Sequence, residues 1–359
     1  MINDKYVAFD ADSANIAVGV YDHKGRCLFT GDCRLERKAI KDLITGLSGR
    51  VHVTFEEGTQ AAWLYEVIRP LVSEVIVCDP RRNKLIRTGN KSDRIDVEKL
   101  AKLLRLGELR PVYQGGQSTL GLKHLVHAYE RLSSDTTRTK NRVKAIFRGR
   151  AIGCRGRAVY EKSEQDEWVK KLEIDGLRTR AELLYRELEL QVELKQEAVR
   201  KVREEVRKQP AYKLVRKLPG VGEIRAAQII AATGTPHRFR TKRQYWPYCG
   251  LAVVTRSSGD YEWVGETTRR RKKPVQTRGL NRNFNRTLKA AFKGAATSAI
   301  TTNEEFKEYY QRMIDNHMRP EMALLTVARK LAAITLAVWK TGEAYDPKRV
   351  NQAARSDEQ

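Results

Sequence analysis

The chain has 359 residues, with 69 Lys and Arg against 44 Asp and Glu, for a formal net charge of +25. That length allows two domains and a connector, each with a core of ordinary size. A folded body this basic attracts polyanions and releases their counterions, so nucleic acid is the expected partner. No unbroken run of about 18 apolar residues is present to span a bilayer, and no membrane partner is expected.

The N-terminus enters a strand-like run at Tyr6 without the charged stretch and apolar core of a signal peptide, which predicts a cytoplasmic, nucleoid-associated protein. Cys27, Cys33, Cys78, Cys154 and Cys249 form an odd set with no C-x-x-C pair, so neither a disulfide framework nor a thiolate zinc site is expected.

From Tyr6 to Phe29 the pattern is strand, turn, strand, turn, strand, an antiparallel meander whose second turn is Asp22-His23-Lys24-Gly25. A helical segment near 39–47 leads to the strand Val51–Phe55, a helix near 61–71, and a buried strand over 74–78. Strands followed by alternating helix and strand predict a mixed α/β sheet.

Between Thr136 and Tyr160 there are eight Lys or Arg and no acid, among them Arg138, Lys140, Arg142, Lys144 and Arg148. This strip is a candidate for tracking a nucleic-acid backbone, with a solvated basic helix as the plainer alternative. From about 161 to 209 apolar positions recur at Leu177, Ala181, Leu184, Leu188, Val192, Val199, Val202 and Val206. Steps of three, four and seven predict a coiled-coil-like arm that favours self-association, with a break near Lys195. The expected domains are 1–158, an arm over 159–209, a C-terminal unit over 210–346, and a frayed polar tail over 347–359.

Asp10 and Glu56 each end a strand, so both project from one edge of the expected sheet. Asp93 and Asp96 are spaced i, i+3 on one face of a predicted helix. Four carboxylates on two strand ends and one helix could hold two magnesium ions, which polarise a phosphate. Each acid also has a structural alternative: Asp93 and Asp96 could form a capping box, Asp10 an Asx-turn, and Glu57 competes with Glu56. An ATPase of the actin-like or sugar-kinase type also begins with such an acid, but its first loop needs glycine for phosphate. Here that loop reads Asp10-Ala11-Asp12-Ser13-Ala14.

In the C-terminal unit, Leu218-Pro219-Gly220-Val221-Gly222 before a helical Glu223 to Ala232 predicts a helix-hairpin-helix element. Backbone amides around Gly220 and Gly222 could meet a DNA phosphate there, although a tight helix connection is the simpler reading. Further on, Ser258 precedes a glycine on an expected loop. The stretch Thr267 to Asn303 holds ten Lys or Arg and no acid, including Arg269, Arg270, Arg271, Lys272, Lys273, Arg278, Arg282 and Arg286. Arginines beside a serine could stabilise charge developing on a phosphate, although by composition a Ser-Ser-Gly surface turn is the common case.

In order and separation these segments resemble the DEDD-type insertion-sequence transposases with a RuvC-like N-terminal domain, also described as bridge-RNA-guided recombinases. The resemblance rests on Val7-Ala8-Phe9-Asp10, Val51 to Glu56, Val77-Cys78-Asp79-Pro80, Lys91 to Asp96, Leu218 to Gly222, Phe239, Tyr248-Cys249-Gly250-Leu251, Ser257-Ser258-Gly259 and Arg278-Gly279-Leu280-Asn281. It implies an α/β RuvC/RNase H-like domain, a long helical arm, and a mainly α-helical C-terminal domain. It also implies that Asp10, Glu56, Asp93 and Asp96 bind the metal, a pair of Mg2+ ions, and that Ser258 is the nucleophile in one composite site. Partners would be donor and target DNA, a noncoding guide (bridge) RNA, and further copies of the chain as a homodimer or homotetramer. After Glu56 the family has a small residue, Thr and Gly, whereas this chain reads Glu57-Gly58-Thr59-Gln60, so Glu56 or Glu57, and Ser257 or Ser258, stay open. The rival readings are a hydrolytic RuvC-like nuclease and a non-catalytic nucleic-acid scaffold.

Overall fold

The computed structural model describes residues 3–12, 14–80, 93–115, 117–258, 261–264, 267–270, 275–280 and 283–347. The chain forms two units, Met1–Gln114 and Gly115–Gln359.

The first unit is built on a five-stranded sheet of order β3-β2-β1-β4-β5. Its strands are β1 (Asp4–Ala11), β2 (Asn15–Asp22), β3 (Cys27–Arg34), β4 (Arg50–Glu56) and β5 (Glu74–Cys78). The first three form the expected antiparallel meander, while β4 and β5 run parallel to β1. One face carries Val7, Phe9, Val18, Val53 and Phe55 and is covered by α1 (Arg37–Thr45) and α2 (Ala61–Ile68), whose Ile40, Ile44, Leu64 and Ile68 are buried there. The alternating side chains point the other way, and Ala8, Tyr21 and Cys78 meet Val97, Leu100, Ala101 and Leu104 of α3 (Asp93–Leu106). Each of the larger side chains contributes about 1.5–3 kcal/mol by leaving water, and together they fix α3 to that face.

In the second unit, α4 (Gln117–Arg148) lies against α6 (Asp175–Arg207), with a short α5 (Gln165–Lys170) near their turn. The basic strip of the sequence analysis is thus the end of a much longer helix, which is part of the second unit. The seam expected to favour self-association is occupied inside the chain: Val143 and Phe147 of α4 share a cluster with Ala181 and Tyr185, and Leu122 and Val126 share one with Val202 and Val206. Between these apolar ends the contact is polar, with the buried Thr139 hydroxyl donating to Glu187 at 3.0 Å. The break at Lys195 also has a reason, since its ammonium lies over the Tyr129 ring at 6.0 Å.

The rest of this unit comprises the one-turn α7 (Tyr212–Val215), α8 (Glu223–Thr233), α9 (Lys242–Tyr248), α10 (Arg286–Thr302), α11 (Glu304–Asp315) and α12 (Pro320–Thr341) around one large apolar cluster. By length and apolar composition α12 could cross a membrane, contrary to the expectation that nothing in the chain could. Here it is a core helix, with Val327, Ala328, Leu331 and Ala332 fully buried. The region is mostly helical but not wholly so. Two antiparallel pairs occur between α9 and α10: β6 (Val253–Ser258) with β9 (Val275–Leu280), and β7 (Tyr261–Val264) with β8 (Thr267–Arg270).

Candidate active site

Asp10 and Glu56 are neighbours in the sheet. The parallel register pairs Phe9 with Phe55, and each acid is the next residue along its strand. Adjacent strands lie about 4.8 Å apart, so two such carboxylates can reach one cation. Alternation places both on the α3 side: Asp10 pairs with Ala17 of the α3-side cluster, and Glu56 follows Thr54, whose hydroxyl approaches the buried Cys78 thiol there. Both acids are half-buried, whereas Glu57 is exposed and sends its backbone N–H to the Cys78 carbonyl at 2.8 Å.

The direction of α3 follows from two contacts. Val97 lies over Gly19, where a Cβ would stand 3.1 Å from Val97 Cγ2, and Arg105 lies against Gly25 in the β2–β3 turn. Gly19 pairs with Ala8, and the Gly25 turn is at the end where Lys5 pairs with Asp22. The helix therefore runs antiparallel to β1 and begins at the Asp10 end. Asp96 immediately precedes Val97, and Asp93 is one turn (about 5 Å) nearer the sheet edge. Asp10 is about 6–7 Å beyond Ala8 along β1, so the four positions lie toward the same end of the sheet.

The donor set suits a hard divalent cation, since oxygen ligands are what magnesium takes. Among the described residues no three His, Cys, Asp or Glu side chains are already gathered as a metal cluster, and the Asp93 side chain lies outside them. Asp79, one residue past β5 and half-buried, is a further acid at this edge that the sequence analysis assigned no role. Its signal was the register: β5 pairs Cys78 with Glu56.

Ser258 is the last residue of β6, opposite Val275, with Ser257 opposite Gln276. The expected loop is therefore a strand end. Arg278 is opposite Thr255 in β9, and Arg269, exposed, is opposite Glu262. The side chains of Ser258, Arg270 and Arg278, and the whole of Arg271, Lys272, Lys273 and Arg282, lie outside the described residues.

The Gly-Val-Gly turn does connect α7 to α8. Gly220 has φ of +70°, and a Cβ on it would drive into the Ala295 carbonyl of α10, so its immediate role is close packing. Gly222 is exposed with open space where a Cβ would be, and it caps α8. The first turn of α8 already holds an acid: Glu223 accepts from Arg207 at 2.9 Å and from the Tyr212 hydroxyl at 2.9 Å, and the Arg207 bond foremost keeps its carboxyl below the usual range.

The basic strip divides. The Lys140 and Lys144 ammoniums lie over the Tyr160 ring, each at 5.1 Å, and Lys144 donates to the Gly156 carbonyl. Arg138, Arg142 and Arg148 are exposed.

Comparison with known proteins bears on both units. Residues 7–150 match the DEDD transposase model named for IS110, and residues 212–311 match the model described as Transposase IS116/IS110/IS902 family. In both segments the chain is similar to transposases of the IS110 family. Among its relatives is y4pF/y4sB of Sinorhizobium fredii, described as a transposase, 24% identical over 76% of this chain and 68% of that protein. Another, y4qE of the same organism and likewise described as a transposase, is 30% identical over 71% of this chain and 63% of its own length. The 43.6 kDa protein of insertion element IS110 from Streptomyces coelicolor is 26% identical over 39% of this chain and 31% of its own. The chain thus spans less than two thirds of the length of two of these three relatives. Asp10, Glu56, Asp93 and Asp96 all lie within the first matched segment, and Ser258 lies within the second.

Proposed function

We propose that this chain is a DNA recombinase that moves an insertion element, cutting and rejoining strands through a serine-linked intermediate. The observation that carries it is the placement of Asp10, Glu56 and the start of α3 toward the same end of one sheet face. The sheet order β3-β2-β1-β4-β5, with an antiparallel meander and two further parallel strands, supports a RuvC-like reading of this domain.

In this reading Asp10, Glu56, Asp93 and Asp96 hold Mg2+, as a pair of ions, with Glu56 preferred to Glu57 because only Glu56 continues the α3-side alternation of β4. Bound magnesium would supply Lewis-acid polarisation of the phosphate and offset charge on the attacking and leaving oxygens. The protein's own part is to fix those acids on a strand edge and a packed helix, so that little reorganisation is needed on binding. The Ser258 hydroxyl attacks phosphorus: its Oγ–P bond forms as the P–O3′ bond breaks, and the hydroxyl proton is balanced by protonation of the 3′ oxygen. The phosphoserine link conserves the bond energy, and a 3′-hydroxyl from the exchanged strand reverses the step without ATP. Exposed basic side chains such as Arg138, Arg148 and Arg269 contact backbone phosphates, consistent with the net charge of +25. Sequence choice is delegated to a noncoding guide RNA, and the active form is a dimer or tetramer.

A denaturing gel after reaction with end-labelled element-end DNA and the copurifying RNA tests this. Wild type should leave a protein–DNA adduct that Ser258→Ala abolishes and Ser257→Ala retains. Cleavage without any adduct, unaffected by Ser258→Ala, would establish water as the nucleophile and the chain as a hydrolytic nuclease.

A further inference from the structure

We infer that the outward face of α4 is a docking surface for the phosphate backbone of duplex DNA, formed by Lys123, His127, Arg131, Arg138, Arg142 and Arg148. This rests on the reading of the chain as a DNA recombinase and adds to it a surface that the basic strip at 136–160 only partly overlaps. Steps of 4, 4, 7, 4 and 6 residues keep these side chains within a sector of about 120° on one helix, and all six are exposed. Arg131, Arg138 and Arg142 leave 71%, 61% and 57% of their side chains open to solvent. From Lys123 to Arg148 the row is about 37 Å long, close to the 34–36 Å of one turn of B-DNA.

The two acids of this helix border the row and are already engaged. Glu130 accepts from Gln228 of α8 and Thr287 of α10, both at 2.8 Å. Asp135, on the margin, is within 3.4 Å of Arg131 and 3.2 Å of Arg138, which holds the two guanidiniums side by side rather than removing them from solvent. Such exposed pairs are worth under about 1 kcal/mol, so a phosphate can displace them. Arg142 is 3.7 Å from Glu187, a long contact of the same kind. Lys140 and Lys144 face elsewhere, over Tyr160, and are excluded from the surface although the sequence places them among the others.

The test uses the full chain and a duplex of about 40 base pairs of arbitrary sequence, with affinity measured against salt by fluorescence anisotropy. The R131Q/R138Q/R142Q variant should lower the slope of log K against log[salt] by about 2 to 3, at about 0.9 per lost phosphate contact, and weaken binding equally on unrelated sequences. The K140Q/K144Q variant should leave the slope at the wild-type value. An unchanged slope in the triple variant, with wild type still binding DNA and forming its adduct, overturns the surface and leaves the recombinase reading standing. A fall of equal size in K140Q/K144Q overturns it as well. A fall seen only with an RNA hairpin in place of the duplex overturns the assignment to DNA. Wild type that binds no duplex at all overturns both readings together.

Discussion

Val97 of α3 rests on Gly19 of β2, and it does so because no side chain intervenes: a Cβ at Gly19 would stand 3.1 Å from Val97 Cγ2 and 2.9 Å from the Tyr21 ring. This contact sets the height of α3 above the sheet one residue after Asp96. Gly19→Val should lift the helix, destabilise the fold by about 1–3 kcal/mol through overpacking, and weaken Mg2+-dependent cleavage more than that loss of folded protein explains. Denaturant midpoints alongside the Mg2+ dependence of cleavage check this; wild-type cleavage in a destabilised variant would detach α3 from the site.

The acids should separate by position. Asp10→Asn and Glu56→Gln should each reduce strand cleavage by at least about 100-fold, as loss of a metal-binding carboxylate does. Glu57→Gln should remain within about threefold of wild type, because Glu57 is exposed and past the strand. If Glu57→Gln proves the inactive one, the strand alternation has been misassigned to function.

At the Gly-Val-Gly turn, Gly220→Ala should cost about 3–5 kcal/mol, since it combines a left-handed backbone with a collision against the Ala295 carbonyl. Gly222→Ala meets nothing and should change stability by under about 1 kcal/mol. Thermal melts of the two variants distinguish packing from phosphate binding: a stable Gly222→Ala protein with weakened DNA affinity would restore the helix-hairpin-helix role.

Acid stability should depend on Asp22. The Arg26 backbone N–H, foremost, lowers its carboxyl to about 2, helped by the Arg26 side chain at 2.8 Å and the Lys24 N–H at 2.9 Å. A carboxyl depressed on folding stabilises the native state above its unfolded value, near 4, and that contribution is lost as pH falls toward about 2. Melting temperatures between pH 5 and 2 should fall less steeply in Asp22→Asn than in wild type; parallel curves would remove Asp22 as a cause.

Much of the molecule is legible in the order of residues because its signals are local. Apolar runs ending in Asp10 and Glu56, the Asp22-to-Gly25 turn, and the i, i+3 spacing of Asp93 and Asp96 specify strands, a hairpin and a helix face by periodicities that any chain must obey. The same holds for the seam of α6, whose buried positions Ala181, Leu188, Val202 and Val206 fall on the predicted spacing. Charge balance is likewise a property of composition and needed no fold to indicate a polyanionic partner.

What covers a face, and which way a side chain turns, depended on parts of the chain far apart in sequence. An apolar stripe is satisfied equally by a second copy or by another helix of the same chain, and only the packed structure chose α4 as the cover for α6. Basic residues close in sequence look alike, yet a helix distributes them by angle, and Tyr160 draws Lys140 and Lys144 away from the exposed arginines. The proposed preference for Glu56 over Glu57 rests on the same kind of information: two adjacent carboxylates are equivalent in a string of letters, but a pleated strand sends successive side chains to opposite faces, and only one of those faces carries α3.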